Sequence, residues 1–241
     1  MYNNKTISLI LPTYNEKDSI KKSIEDFEAL GIIDEIIVIN NNAAPGTSEE
    51  VSQTRAKEIL EPIQGYGSAI MRGLREAKGD LIVICEPDDT FIAMDIYKLL
   101  SYSNDLDIVY GTRTARNFIW EGANMGFLLR WGNVFVAKML EVLFNTNQLS
   151  DVGCTYRLVH RDVINQMLPY LKVKSNFFGP EMMVRGYLMK FKCVQIPVNY
   201  KDRIGVSSVT GDMKKAVVLG FQMIFLIIAM RFNIQKLLFK L

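Results

Sequence analysis

The sequence predicts a single α/β domain built on a mostly parallel central sheet with helices on both faces. Short continuous apolar runs recur along the first half of the chain, and polar or turn-forming residues follow each run. Segments with helical apolar spacing lie between these runs. Strands that are apolar throughout are typical of parallel sheets covered on both sides. A chain of 241 residues is long enough for one such domain with a short appendage.

The elements of the first half follow in order. Asn15 is predicted to cap the first helix, because apolar residues recur at Ile20, Ile24 and Phe27 along one face. Thr47 is predicted to cap the second helix, and a third ends near residue 77. The apolar runs predict strands at residues 7–11, 35–39, 80–84 and 107–110.

The second half is less regular. Residues 126–144 predict a helix with apolar residues on more than one face, which is either deeply buried or in contact with lipid. Shorter helices are predicted at 161–170 and 180–190, followed by a last strand at 193–198. We divide the chain into a catalytic domain at 1–212 and a membrane-associated helical segment at 213–241.

Composition excludes several classes of protein. The formal net charge is only +2, which argues against a partner nucleic acid. Three separated cysteines, no CxxC pair and one histidine argue against a zinc site or a disulfide framework, and they fit a reducing compartment. The first 12 residues hold too short an apolar run for a signal peptide. We therefore expect the catalytic part in the cytoplasm.

Polar residues follow three predicted strands, at 13–16, 40–42 and 86–89. Ligands of parallel sheets gather at the carboxyl ends of the strands, so these segments are predicted to form one site. Glu86 and Asp88 can share Mg²⁺ or Mn²⁺, since such ions take one or two protein carboxylates and complete their shell with water and phosphate oxygens. A solvated acidic loop is the alternative for this pair.

The order of the motifs resembles family 2 glycosyltransferases, and within them the dolichyl-phosphate mannose synthase-like branch, which works on polyprenyl phosphates. The resemblance spans roughly residues 6–210 and implies a GT-A fold and an inverting transfer from a nucleotide sugar. Its motifs are PTYNE at 12–16, VINNN at 38–42, GYGSA at 65–69, EPD at 86–88, GTR at 111–113, DVGCTYR at 151–157, Glu181, and RIGVS at 203–207.

The resemblance also implies a role for individual residues. The donor nucleotide sugar would contact Pro12, Tyr14, Glu16, Asn40, Asn41, Gly67, Arg203 and Ser207. Glu16 would lie near the ribose, and Asn41 or Asn40 stands where the family usually has an aspartate facing the base. Glu86 and Asp88 match the metal-binding motif, which implies Mg²⁺ or Mn²⁺. Gly67 has a simpler alternative as a turn glycine.

Asp151, Arg157 and Glu181 are the predicted catalytic residues. The resemblance places Asp151 and Arg157 near the reacting centre and the phosphates. Each also has a structural alternative: Asp151 as a loop carboxylate, Arg157 in a buried ion pair, and Glu181 as an acid at a helix start, where the helix dipole favours it.

The C-terminal stretch 216–230 has Gln222 as its one clearly polar side chain and is flanked by Lys214, Lys215 and Arg231. Fifteen helical residues extend about 22 Å, short of the ~30 Å hydrocarbon core. We expect an apolar C-terminal helix that lies on a membrane surface or packs on the domain. The protein would then be peripheral, on the cytoplasmic side of a membrane, with an acceptor lipid phosphate held by Arg113, Arg116 and Arg130.

These observations favour a glycosyltransferase that uses a UDP- or GDP-sugar and a polyprenyl-phosphate acceptor. Within the same class, the alternative is elongation of a surface polysaccharide or lipid-linked oligosaccharide, with Asp151 as the base for a sugar hydroxyl. From other classes, a nucleotidyltransferase would normally carry a Gly- and Arg-rich phosphate loop, which residues 12–16 do not provide. A non-catalytic membrane scaffold would need none of the charged motif residues.

Overall fold

The structure is a computed structural model that describes residues 1–205 and 213–234. Within these residues one seven-stranded sheet has the order β3-β2-β1-β4-β6-β5-β7. The strands are β1 Ile7–Thr13, β2 Glu35–Asn40, β3 Lys57–Leu60, β4 Leu81–Ile84, β5 Ile108–Thr112, β6 Arg157–His160 and β7 Cys193–Pro197.

Helices connect most of the strands. They are α1 Lys17–Glu28, α2 Thr47–Ser52, α3 Tyr66–Glu76, α4 Ile96–Tyr102, α5 Phe127–Phe144, α6 Arg161–Met167, α7 Phe178–Leu188 and α8 Met213–Arg231. Short 3-10 turns occur at Ala93–Asp95, Arg116–Phe118 and Leu168–Tyr170. The predicted helix at 126–144 is thus confirmed as α5, almost residue for residue.

The sheet is mostly parallel, as predicted, with one exception. Strand β1 pairs in parallel with β2 and β4, while β6 is antiparallel to both of its neighbours, β4 and β5. Strands β3 and β6 were not predicted from the sequence. Both have four residues, and they contain charged side chains (KEIL and RLVH), so neither forms the apolar run that marks a buried parallel strand.

Helices cover both faces of the sheet, which confirms the predicted layers. Alternate residues of a strand point to opposite faces. Ile10 of β1 therefore joins a buried cluster with residues of α3, α5, α7 and α8. Its neighbours Leu9 and Leu11 join a second cluster on the other face, with residues of α1 and α4.

Both predicted helix caps were wrong. Helix α1 begins after Glu16, whose carboxylate Oε2 turns back to accept from the backbone N–H of Tyr14 at 2.6 Å and of Asn15 at 2.9 Å. Helix α2 begins after Gly46, which adopts a φ of 91° that favours glycine, so Thr47 is already inside the helix. The Thr47 hydroxyl donates instead to the Ala44 carbonyl at 2.7 Å.

Helix α8 packs against α5 and α7. Its side chains Met223, Leu226 and Ile227 are buried in the core, whereas Val218 and Phe225 are more than half exposed. No helix among the described residues is long and apolar enough to cross a membrane. Residues 235–241 of the predicted helical segment at 213–241 lie outside the described residues, and the division of the chain after residue 212 stays a prediction.

We expect Gly73→Ala and Gly132→Ala to change stability in opposite directions. A Cβ at Gly73 would lie 2.4 Å from Ile10 Cγ2 of the central strand, whereas a Cβ at Gly132 would meet nothing within 4 Å. Overpacking should cost Gly73→Ala about 1–3 kcal/mol. Gly132→Ala should gain up to about 1 kcal/mol from helix propensity. Urea unfolding measures both, and equal shifts would contradict the packing at Gly73.

Candidate active site

A cavity of about 680 Å³ lies at the carboxyl ends of the central strands and continues between α5 and α8. Its polar end is lined by Pro12, Thr13, Tyr14, Glu16, Asn41, Glu86, Asp88 and Arg203. Its apolar end is lined mainly by Leu128, Phe135, Val136, Met182, Leu219, Met223 and Ile224. The three polar strand ends predicted to meet therefore do meet, and one cavity joins them to an apolar region.

Arg203 connects two of the strand ends. Its Nη2 donates to Glu16 Oε1 at 2.7 Å, and its Nη1 lies 3.0 Å from Asp88 Oδ2. The other oxygen of Asp88 accepts from the Thr90 hydroxyl at 2.6 Å and from the Thr90 backbone N–H at 3.1 Å. This arginine therefore holds the loop after β1 against the loop after β4, where a donor diphosphate is predicted to lie.

Glu86 and Asp88 form an acidic pair at the base of the cavity. Desolvation is the main cause that raises the pKa of Glu86 to about 8, and the negative charge of Asp88 is the second. The positive charge of Arg203 lowers this pKa. A divalent cation would favour the ionised form of Glu86. No group of three or more His, Cys, Asp or Glu suited to a metal occurs in the described ranges 1–205 and 213–234. Two carboxylates are enough for Mg²⁺, so the pair fits the predicted ion.

The two candidate base-facing asparagines differ in position. Asn41 lines the cavity, while Asn40 does not. The Asn41 amide donates to the carbonyls of Glu61 at 2.7 Å and Ile63 at 2.8 Å, and its Oδ1 accepts from the Gly65 N–H at 2.8 Å. Asn40 donates to Glu58 Oε1 at 2.8 Å. Asn41 therefore positions the loop before α3 at the cavity wall, whereas Asn40 links the end of β2 to β3.

Gly67 contacts protein rather than the cavity. A Cβ at this position would lie 2.1 Å from the Val173 carbonyl oxygen. The glycine thus allows α3 to approach the 173–175 loop closely, and it is Gly65 that lines the cavity. Gly67 is thus outside the cavity lining in which a donor nucleotide sugar is predicted to bind.

Asp151 is fully buried and does not line the cavity. Its two oxygens accept from Arg113, Oδ2 from Nε at 2.8 Å and Oδ1 from Nη2 at 3.0 Å. Backbone N–H groups of Arg113 and Gly153 donate to the same carboxylate at 3.0 and 2.9 Å. Burial opposes ionisation, but the charge and hydrogen bonds of Arg113 prevail and lower the pKa of Asp151. Asp151 is thus a positioning carboxylate for Arg113, which does line the cavity.

Arg157 is buried in the cavity wall. Its guanidinium donates to the carbonyls of Cys154 at 2.7 Å, Gly179 at 2.9 Å and Val152 at 3.1 Å. These bonds fasten the segment before β6 to the start of α7. The guanidinium is therefore satisfied by three backbone carbonyls and not by the buried ion pair that was the structural alternative.

Glu181 is fully buried and lies outside the cavity lining. Its carboxylate accepts from the backbone N–H of Lys172 at 2.9 Å and of Val173 at 2.8 Å. Burial raises its pKa, and these two N–H groups act in the opposite direction. This geometry gives Glu181 the task of holding the 172–173 loop instead of contact with a ligand.

The three arginines predicted for the acceptor phosphate do not converge. Only Arg113 lines the cavity. Arg116 lies in an exposed 3-10 turn, and Arg130 donates to the Thr114 carbonyl at 2.9 Å and stacks 5.9 Å from the Trp131 ring. Ser207, predicted for the donor diphosphate, lies outside the described residues.

Several cavity residues escaped the sequence analysis. Tyr66, Asn133, Thr155, Tyr200 and the inner face of α8 all line the cavity. Thr155 lies inside the DVGCTYR segment, so proximity to Arg157 was an available signal. Nothing in the sequence indicated that α8 reaches the same cavity as the acidic pair.

Two curated relatives are similar to this chain. Protein RfbJ of Shigella flexneri is 30% identical over 115 residues, which cover 47% of this chain and 89% of RfbJ. The low-salt glycan biosynthesis hexosyltransferase Agl6 of Haloferax volcanii is 25% identical over 207 residues, covering 83% of this chain. The match spans about half of Agl6, 49% of its length.

Solved structures share the fold. Glucosyl-3-phosphoglycerate synthase of Mycobacterium tuberculosis superposes with a TM-score of 0.71 at 15% identity, covering 95% of this chain and 81% of that one. Its complex with Mn²⁺, UDP and phosphoglyceric acid gives 0.72 at 16% identity, covering 95% of this chain and 78% of the other. The predicted mostly parallel α/β architecture is therefore confirmed, with GT-A-like neighbours.

The match to a family model agrees with the motif order in the sequence. The model described as "Glycosyl transferase family 2" matches residues 8–168, from β1 to the end of α6 and the residue beyond it. These similarities do not confirm membership of the dolichyl-phosphate mannose synthase-like branch, which stays a prediction. The matched region is well over half of the chain and contains both Glu86 and Asp88. The chain therefore belongs to glycosyl transferase family 2 and is a glycosyltransferase.

Proposed function

We propose that this protein transfers a sugar from a UDP- or GDP-sugar to a polyprenyl phosphate, with Mg²⁺ or Mn²⁺, at the cytoplasmic surface of a membrane. One observation carries the proposal: a single cavity joins the Glu86–Asp88 pair to an apolar region between α5 and α8. Such a cavity suits this reaction, because the charged donor needs a polar site and the lipid chain needs an apolar one, and the two substrates must meet.

The polar end suits the donor. Glu86 and Asp88 would hold the cation, which when bound neutralises charge on the departing diphosphate. Arg203 already lies beside Asp88, so its guanidinium can turn from Glu16 and Asp88 to phosphate oxygens. The synthase that shares the fold was solved with UDP and Mn²⁺, and also with Mg²⁺ and UDP. That likeness supports a uridine nucleotide and a divalent ion here.

Among the described residues that line the cavity, no carboxylate is left unengaged as a base for an acceptor hydroxyl. Among the described lining residues the carboxylates are Glu16, Glu86 and Asp88. Glu16 and Asp88 are paired with Arg203, and Glu86 belongs to the predicted metal pair. Asp151, the first candidate base, is held by Arg113. A phosphate monoester is already anionic near neutral pH, so it needs little help from a base, and this favours a phosphate acceptor.

The apolar end and its outer surface suit a lipid. Phe135, Val136, Leu219 and Met223 line the region that an isoprenoid chain would occupy. Outside the cavity lining, large apolar side chains of α5, of α8 and of the residue that follows α8 are exposed: Phe127, Trp131, Phe225 and Phe232. An exposed aromatic face beside a lipid-binding cavity supports peripheral attachment to a membrane.

Purified protein should transfer radiolabel from a UDP- or GDP-sugar to long-chain polyprenyl phosphate in the presence of Mn²⁺ or Mg²⁺. Label enters the organic phase only if the product is lipid-linked. Asp88→Asn should reduce transfer by about a hundredfold or more, because a charge that stabilises the leaving group through the metal is lost. Asp89→Asn is the matched control, since Asp89 pairs with Lys22 and Lys201 and does not line the cavity.

Label found only in water-soluble glycan would reject the lipid acceptor. Transfer that persists in EDTA would reject the metal. If the protein binds no nucleotide and turns over no donor, the catalytic proposal fails as a whole. Melting temperatures of both variants show whether a loss of transfer reflects unfolding.

Gly220→Leu should block the lipid chain selectively. Gly220 lines the cavity, and a Cβ there would meet nothing within 4 Å, so the larger side chain fits the fold and narrows the apolar end. We expect the KM for long-chain polyprenyl phosphate to rise about tenfold or more, because the leucine would displace part of the lipid chain from its apolar contacts. The KM for the donor and for geranyl phosphate should change little.

Gly126→Leu is the control, because Gly126 also has free space around a Cβ but does not line the cavity. Equal losses with short and long acceptors, or none with either, would rule out a chain between α5 and α8.

The double variant Phe225→Ser with Phe232→Ser should bind membranes more weakly. These rings are 53% and 66% exposed and neither lines the cavity. Burial of a Phe in an apolar phase contributes about 1.5–3 kcal/mol, so removing two should weaken vesicle binding at least tenfold. Co-sedimentation with phosphatidylglycerol–phosphatidylcholine vesicles measures this. Tyr102→Ser on α4 is the control, with a ring that is 46% exposed. If the wild-type protein does not co-sediment with the vesicles, attachment through this face is refuted.

A further inference from the structure

Thr155 carries a buried hydroxyl that no group among the described residues satisfies. Within the described part of the chain its Oγ1 has no hydrogen-bond partner, and the residue is only 8% exposed. A buried hydroxyl without a partner costs about 1–3 kcal/mol, so such groups are uncommon and call for an explanation. Thr155 also lines the cavity, which makes a bound ligand the natural partner.

The sheet register places Thr155 beside the acidic pair. Strands β4 and β6 are antiparallel, and Ile84 pairs with Arg157. Glu86 stands two residues beyond the end of β4, and Thr155 stands two residues before the start of β6. All four of these residues line the cavity. Thr155 and Glu86 therefore leave the sheet from neighbouring strand ends and line the same cavity.

Position and chemistry together indicate which part of a substrate meets this hydroxyl. Thr155 lines the cavity together with Glu86, where the metal and the diphosphate are predicted, and with the apolar side chain of Met182. The group between a diphosphate and a lipid acceptor is the sugar that is transferred. Phosphate oxygens call for cations, which Arg113 and Arg203 supply. A neutral hydroxyl that both donates and accepts matches a sugar hydroxyl instead.

We propose that the Thr155 hydroxyl hydrogen-bonds a hydroxyl of the donor sugar and so helps to select which sugar is transferred. This inference rests on the proposed function. It assigns to Thr155 a contact with the sugar alone, separate from the contacts that hold the nucleotide and the acceptor.

The test compares Thr155→Val, which removes the hydroxyl and keeps the shape, with Thr155→Ser, which keeps the hydroxyl. Calorimetry with Mn²⁺ measures the affinity for UDP and UDP-glucose, and for GDP and GDP-mannose. In the pair that supports transfer, Thr155→Val should bind the nucleotide sugar about tenfold more weakly, as expected for one hydrogen bond. Its affinity for the free nucleotide should stay within twofold, and Thr155→Ser should restore sugar binding.

Ser68→Ala is the matched control. Ser68 Oγ is also buried without a partner in the described residues, but Ser68 does not line the cavity. This variant should bind nucleotide and nucleotide sugar like the wild type. The melting temperature of Thr155→Val should stay equal or rise, because an unsatisfied hydroxyl is removed, so a loss of sugar binding cannot be ascribed to unfolding.

Deoxy-sugar donors identify the partner hydroxyl. The donor that lacks it should be the weaker substrate for the wild type, and Thr155→Val should lower kcat/KM for that donor no further, since contacting groups are not additive. The inference is overturned if the wild type transfers sugar and Thr155→Val behaves identically. It is also overturned if the variant weakens UDP or GDP equally, or raises only the acceptor KM. If the wild type neither binds nor transfers any nucleotide sugar, the result refutes the proposed function itself and not only the role of Thr155.

Discussion

The site depends on one structural constraint, the antiparallel pairing of β6 with β4. Most of the sheet is parallel, and its strands deliver their carboxyl ends to one edge. Strand β6 runs the other way, so the segment that precedes it reaches that same edge. Arg157, Thr155 and Gly153 therefore come together with Glu86 and Asp88, although about 70 residues of chain separate the two groups.

The charged groups at this edge divide by whether the protein itself satisfies them. Asp151 has four donors from its own chain, and Glu181 is held by backbone N–H groups. Removing either carboxylate would leave buried donors unpaired, which explains their presence without a ligand. Glu86 is different, because desolvation and Asp88 both disfavour its charge and raise its pKa. A bound cation would offset both effects, because it favours the ionised form of Glu86.

Apolar runs predicted β1, β2, β4 and β5 well because burial on both faces leaves a direct mark on composition. The roles of polar residues were harder to predict, since a motif shows which residues are near one another and not which way they point. Asp151, Glu181 and Gly67 all lie in motif segments, yet their contacts are with protein, because the register of β6 and the close approach of α3 to the 173–175 loop decide their orientation. The two helix caps failed for local reasons. Helix α1 begins after Glu16, whose carboxylate accepts from the N–H groups of Tyr14 and Asn15, and the Thr47 hydroxyl donates to the Ala44 carbonyl instead of capping α2.

Helices α5 and α8 explain why an apolar pattern on several faces could not be resolved from sequence. Each presents one face to the core, one to the cavity and one to the outside: in α5 these are represented by Ala137, Val136 and Trp131, and in α8 by Ile227, Leu219 and Phe225. Periodicity detects one apolar stripe on a helix and loses contrast when three are present. The weak amphipathic signal is therefore itself informative. A helix that packs on the core, lines a cavity and exposes aromatic rings carries apolar residues on most of its circumference, so its sequence shows little contrast between apolar and polar faces.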